Sequence, residues 1–152
     1  MTDTVELPFA PVDSLIREAD PEIRVSADAS ERLAEVIQRK GAEVAAEAAE
    51  KATDDGRKTV MADDFGFNSD PGPDEVSKDD LCLPIAPVDR IARLDIHNYR
   101  ISEEARLVLA DYLEDWAKDI AASAADLARH AERRTVQSED IDAYLEICGD
   151  GS

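Results

Sequence analysis

The sequence predicts an all-α protein built from two tandem units, each short helix, long helix, short helix, folded against one another around one core. Three observations predict this. A shift of 76 residues lays the chain on itself: Glu6–Asp13 (ELPFAPVD) falls on Cys82–Asp89 (CLPIAPVD), Arg24-Val25-Ser26 on Arg100-Ile101-Ser102, and Arg57–Val60 on Arg133–Val136. Over positions 5–67, 21 of 63 residues are then identical without a gap, which marks an internal duplication. Within each copy the apolar residues recur three or four apart, the period of a helix with one buried face. Finally, a long helix of about 28 residues spans about 42 Å. Two flanking helices of roughly ten residues cannot cover an apolar stripe of that length, so each copy needs the other.

The elements follow in order. Pro11 and Pro87 suit the first turn of a helix, where a missing N–H costs nothing. That helix runs to about Ala19 in copy one and to about Leu94 in copy two. Ser26 and Ser102 are placed to cap the long helix, since a hydroxyl can accept from its free first-turn N–H groups. Leu33, Ile37, Val44, Ala48 and Ala52 form the buried stripe of the first long helix. Leu109, Leu113, Trp116, Ile120, Ala124 and Leu127 form that of the second. A last helix begins near Ala62 in copy one and near Ser138 in copy two, with Ser138 as its cap. Copy two carries Ile141, Tyr144, Leu145 and Cys148 along it. Copy one stops early at Gly66, because Asn68–Pro73 (NSDPGP) cannot continue a helix. The expected boundaries are therefore copy one at 1–67, a polar linker at 68–80 and copy two at 81–152, both copies sharing one core. Two copies in one polypeptide meet at high effective concentration, as an intramolecular pseudodimer.

Composition narrows the function. Lys+Arg 17 against Asp+Glu 36 gives a formal charge of −19, which by itself argues against a polyanionic partner. The regular apolar period excludes wholesale disorder, and few lysines beside many surface acids fit a cytoplasm molar in salt. No apolar run reaches the length of a membrane span, and the N-terminus MTDTVELPFAPVD lacks a signal pattern, so a cytosolic protein is expected. Cys82, Cys148, His97 and His130 do not form a metal-like spacing. Neither a nucleophile–base pair nor a phosphate loop is present, so no enzyme, cofactor, metal or small-molecule substrate is expected.

The segments LPFAPVDSLIR and LPIAPVDRIAR, the loops IRVS and YRIS, and the stretches GRKTVMADD and LARHAERRTVQSEDI together resemble the archaeal histones, in the doublet form of salt-loving archaea. The resemblance covers about residues 5–67 and 81–147. It implies two histone folds in an intramolecular handshake, bound to double-stranded DNA and associated with the chromosome. In that family the paired loops grip the phosphate backbone, and one arginine from each first loop enters the minor groove, so binding follows DNA deformability more than base sequence.

By the same resemblance the groove arginines are Arg24 and Arg100, retained although the five residues before them differ between copies. Lys58, Thr59, Arg134 and Thr135 are the phosphate-contacting residues of the second loops. Arg57 and Arg133 are assigned to architecture, as bidentate clamps on Asp64 and Asp140. On the first helices, Arg90 and Arg93 share a face and match DNA-facing positions; copy one keeps Arg17 and has Ser14 in place of Arg90. Asp13 and Asp89 add negative charge beside them. Copy two is therefore expected to grip DNA more firmly than copy one. Family dimers also associate end to end, and Leu127, His130 and Asp140 mark that surface in copy two. Copy one has Asp54 where copy two has His130, so self-association is expected through copy two alone. Two other classes of function stay open: a transcription regulator acting at limited sites, and a histone-fold protein-interaction module with little DNA binding.

Overall fold

The computed structural model describes residues 9–19, 21–65, 85–94, 96 and 98–148. The predicted linker and both copy boundaries between 66 and 84 lie outside them. In chain order the elements are α1 (Phe9–Ala19), β1 (Arg24–Val25), α2 (Ala27–Asp54), β2 (Thr59–Val60), a 3-10 turn (Ala62–Phe65), α3 (Ile85–Ala92), β3 (Arg100–Ile101), α4 (Glu103–His130), β4 (Thr135–Val136) and α5 (Ser138–Cys148). None of the described helices is long and apolar enough to cross a membrane.

Both long helices have 28 residues and start alike. The Ser26 and Ser102 hydroxyls accept from the amides of Ala29 and Ala105, each at 3.1 Å, satisfying a donor that the helix cannot. They also end alike. The amides of Gly56 and Arg57 turn back to the carbonyls of Thr53 and Ala52, both at 2.8 Å. Glu132 and Arg133 do the same with Arg129 and Ala128, at 2.9 Å. This double bond pattern needs a left-handed residue after the cap. Gly56 supplies it in copy one at φ +78°, and Glu132 takes the same conformation in copy two at φ +62°.

Two element ends and the type of a third element differ from expectation. Helix α3 stops at Ala92 rather than near Leu94, because the Leu94 amide turns to Ile91 in a tighter i→i−3 bond at 3.1 Å. Ser138 is the first residue of α5 and not its cap. Asp140 accepts the Gln137 amide at 2.9 Å, so Gln137 takes the cap position, and the Ser138 hydroxyl lies 3.2 Å from Asp28 on α2. In copy one the third element is a four-residue 3-10 turn over the described residues.

The two units interlock. Helix α1 packs on α4 as well as on its own α2, α3 packs on α2 as well as on α4, and α5 and the 3-10 turn each touch both long helices. One apolar core results, with Leu15, Ile16, Leu33, Ile37, Ile91, Leu109, Leu113, Ile120 and Ile141 fully buried. Of the predicted stripes, Val44, Trp116 and Leu127 are only half-buried. Where α2 meets α3 and α4, Gly41 lets them close in: a Cβ there would stand 2.8 Å from Ile91 Cγ2 and 3.0 Å from Leu113 Cδ1. The matching residue of copy two is Ala117, so this packing is not symmetric. Lys40 and Trp116, also at matching positions, meet across the two long helices, with the ammonium 5.5 Å from the ring centre.

Candidate nucleic-acid interface

Four two-residue strands, which helical periodicity did not anticipate, create the site. Strand β1 pairs in parallel with β4, bringing Arg24 opposite Thr135 and Val25 opposite Val136. Strand β2 pairs with β3, bringing Thr59 opposite Arg100 and Val60 opposite Ile101. The Arg24 amide donates to the Arg134 carbonyl at 2.7 Å and that of Ser26 to Val136 at 3.0 Å. The second pair repeats this, from Arg100 to Lys58 at 2.9 Å and from Ser102 to Val60 at 3.0 Å. The inner residues Val60, Ile101 and Val136 are buried, which leaves the neighbouring cationic residues on the outside.

Each basic point therefore takes one loop from each copy. One holds Arg24, Arg134 and Thr135; the other holds Arg100, Lys58 and Thr59. A difference in grip between copy one and copy two does not describe these loops, because the parallel pairing mixes the copies at both points. Arg24, Arg100 and Arg134 are exposed and form no ion pair among the described residues. Thr59 and Thr135 are half-buried.

What holds the second loops in shape is one repeated construction. The turn at the end of each long helix delivers Arg57 and Arg133, and each sends two guanidinium nitrogens to one carboxylate. Arg57 reaches both oxygens of Asp64 at 2.9 Å, and Arg133 reaches both of Asp140 at 2.8 Å. The same arginines hold the carbonyls of Thr59 at 3.0 Å and Thr135 at 3.3 Å, so the strand residue is tied to the clamp. Asp64 and Asp140 also accept the amides of Met61, at 2.8 Å, and Gln137, at 2.9 Å, and only 5% and 4% of them is exposed. The Arg57 bonds hold the Asp64 carboxyl below the ordinary carboxylate range against the opposing pull of burial. For Asp140, burial pushes upward most, yet Arg133 and the Gln137 amide together leave it lowered.

The helix arginines are engaged differently. Arg17 pairs with Asp13 at 2.6 Å and Arg93 with Asp89 at 3.0 Å, one helical turn apart in each case. Asp89 also faces Arg106 of α4 at 3.2 Å, so it bridges two guanidinium groups. Arg90 is exposed and has a partner of its own. At the far end of α4, His130 is exposed and Leu127 half-buried. Asp140 lies in its clamp with Arg133 and is 4% exposed.

Sequence reasoning missed Tyr99. Its hydroxyl hydrogen-bonds Thr53 at the end of α2, its ring centre lies 5.6 Å from the Lys58 ammonium, and its carbonyl faces an Arg93 nitrogen at 3.5 Å. The available signal was a difference between copies, since the position before the loop arginine is Ile23 in copy one.

Known proteins give this arrangement its kin. The family model for "Histone-like transcription factor (CBF/NF-Y) and archaeal histone" matches twice, over residues 5–66 and 81–145. The archaeal histone HAN1 of Thermococcus zilligii, in one of its subunits, is 48% identical over 59 residues, covering 39% of this chain and 87% of that protein. Probable archaeal histone 3 of Methanocaldococcus jannaschii is 44% identical over 63 residues, covering 41% and 92%. Each relative thus matches the length of one copy. Among solved structures, the histone of Methanopyrus kandleri superposes with a TM-score of 0.68 at 25% identity, over 89% of this chain and 90% of that one. A protein of Thermus thermophilus superposes equally well, at 0.68, over 95% and 97%; at 19% identity it shares the fold. With the family matched twice and the fold matched along nearly its whole length, the chain belongs to the family of histone-like transcription factors and archaeal histones and carries two histone folds in one polypeptide.

Proposed function

We propose that this protein binds double-stranded DNA as a ready-made histone dimer, bending or wrapping it as an architectural chromatin protein with little base specificity. One observation carries the proposal: the parallel loop pairs gather Arg24 with Arg134 and Arg100 with Lys58, on frames locked by the Arg57–Asp64 and Arg133–Asp140 clamps. Exposed cations on a rigid backbone suit phosphates, and contacts of this kind position a duplex without reading its sequence. In this reading Arg24 and Arg100 enter the minor groove, while Lys58, Thr59, Arg134 and Thr135 hold phosphates. Arg17, Arg90 and Arg93 add contacts from the first helices, and Arg17 and Arg93 exchange carboxylate partners for phosphate at some cost. The protein works on the chromosome in the cytoplasm and uses no cofactor. Catalysis has no part in it, since the family is architectural.

A second reading is favoured by the charge of −19: a regulator acting at limited sites, since a strongly acidic protein is poorly suited to coating a genome. Limited self-association through Leu127, His130 and Asp140 of copy two agrees with it. The test is binding of a generic duplex across a salt series, comparing the parent with an Arg24→Ala/Arg100→Ala variant. The parent is expected to bind with affinity falling as salt rises, and the variant about five- to 150-fold more weakly, on the order of 1–3 kcal/mol for the two arginines together. Equal binding by both, or none by the parent, leaves the interaction module as the better description. Chromosomal occupancy then separates packaging, as broad coverage, from regulation, as scattered peaks.

A further inference from the structure

We infer that Tyr99 is a positioning residue for DNA contact, seating the Lys58 ammonium beside Arg100 and so making the two loop pairs unequal in kind; this rests on the DNA-binding reading above. Tyr99 sits where three elements converge. Its hydroxyl is tied to Thr53 on the last turn of α2, which fixes the ring, and the Lys58 ammonium stands 5.6 Å from the ring centre. Lys58 is the residue whose carbonyl accepts the Arg100 amide, and Tyr99 directly precedes Arg100. Ring, ammonium and groove arginine are therefore held on one frame.

The other loop pair lacks this device. There Ile23 replaces Tyr99, Arg134 replaces Lys58 and Arg129 replaces Thr53. Ile23 is buried, whereas Tyr99 is half-buried with its ring against the lysine. The difference matches what the two cations need. A guanidinium is a planar fork that is already organised for phosphate, whereas an ammonium on a flexible four-carbon stem loses more freedom when it binds. A ring quadrupole beneath the ammonium restricts it before DNA arrives, which lowers that loss.

The experiment is a double-mutant cycle in the full chain, read as the dissociation constant for a fluorescent generic duplex over a KCl series. Tyr99→Ile, which installs the residue of the other copy, is expected to weaken binding about two- to fivefold, the scale of an exposed cation–π contact. It should leave the salt slope unchanged, because the lysine still meets its phosphate. Lys58→Ala should lower that slope by about 0.9, since one phosphate fewer is neutralised. Tyr99→Ile should add little once Lys58→Ala is present, yet add in full to Arg24→Ala. Tyr99→Phe keeps the ring and should bind within about twofold of the parent. In the free protein, the Lys58 side-chain methylene protons should shift upfield under the ring and lose that shift in Tyr99→Ile. A Tyr99→Ile loss that persists undiminished in Lys58→Ala, or a Phe variant as weak as the Ile one, overturns the role and leaves DNA binding standing. A parent chain that binds no duplex at any salt removes the DNA reading, and this role falls with it.

Discussion

Glu132 and Gly56 occupy one structural position and fill it in different ways. Both follow the C-cap of a long helix with φ above +60°, where an L side chain crowds its own backbone and glycine does not. The conformation places the next residue, Arg57 or Arg133, onto its carboxylate, so the clamp in copy two is held by a strained residue. Glycine relieves about 1–2 kcal/mol of strain there and loses about half of that again through the freer unfolded chain. Glu132→Gly is therefore expected to raise stability by about 0.5–1 kcal/mol, and Gly56→Ala to lower it by about 1 kcal/mol. Urea unfolding midpoints check both, and a destabilised Glu132→Gly protein would sink the strain account.

At the scale of elements, the long helices carry the fold, and their meeting near Gly41 shows how tightly. No side chain fits between that backbone and the methyl groups of Ile91 and Leu113. Gly41→Val places three carbons in that space and is expected to cost about 2–3 kcal/mol, by overpacking that must push α3 or α4 outward. Gly41→Ala should cost less, about 1 kcal/mol, because better helix propensity offsets only part of the strain of moving the buried, β-branched Ile91. The checking measurement is the denaturant midpoint together with near-ultraviolet dichroism of Trp116. A Val variant as stable as the parent would mean that the helices can separate at this point. The shorter elements depend on the long ones: α3 buries Ile91 against α2 of the other copy, and Arg32 of α2 reaches Asp142 of α5 at 2.7 Å.

For the whole molecule, the balance of 17 basic against 36 acidic residues sets the behaviour. Self-repulsion is visible at Asp111 on α4, where burial first, and then Asp115 and Glu114, push the carboxyl upward. Salt screens such repulsion, so Tm is expected to rise by about 5–10 °C between about 0.05 M and 2 M KCl, most of it in the first molar. A Tm that stays flat or falls would show that the surface acids cost the folded state little. The same salt acts on duplex binding in the opposite sense, since the gain from counterion release shrinks as salt rises. Folding and DNA contact therefore pull toward different salt optima.

The sequence by itself determined the duplication, the all-α class, the 28-residue length of both long helices and their serine caps. These depend on local chemistry: periodicity, a hydroxyl before a helix, and a 76-residue repeat that survives in the chain. The seven-residue spacing from Arg57 to Asp64 and from Arg133 to Asp140 is visible in the chain too, although its two-pronged geometry appears only in the fold. Tertiary structure alone decided which loops lie together. Parallel pairing of β1 with β4 and of β2 with β3 joins residues more than forty positions apart, and two-residue strands leave no period to read. It also decided that Gly41 is a close-packing point rather than a weak point in a helix, and that Ser138 is a helical residue rather than a cap. Tyr99 belongs with these. Its partners Thr53 and Lys58 come from the other copy, and only the interlocking of the two copies brings them to its ring.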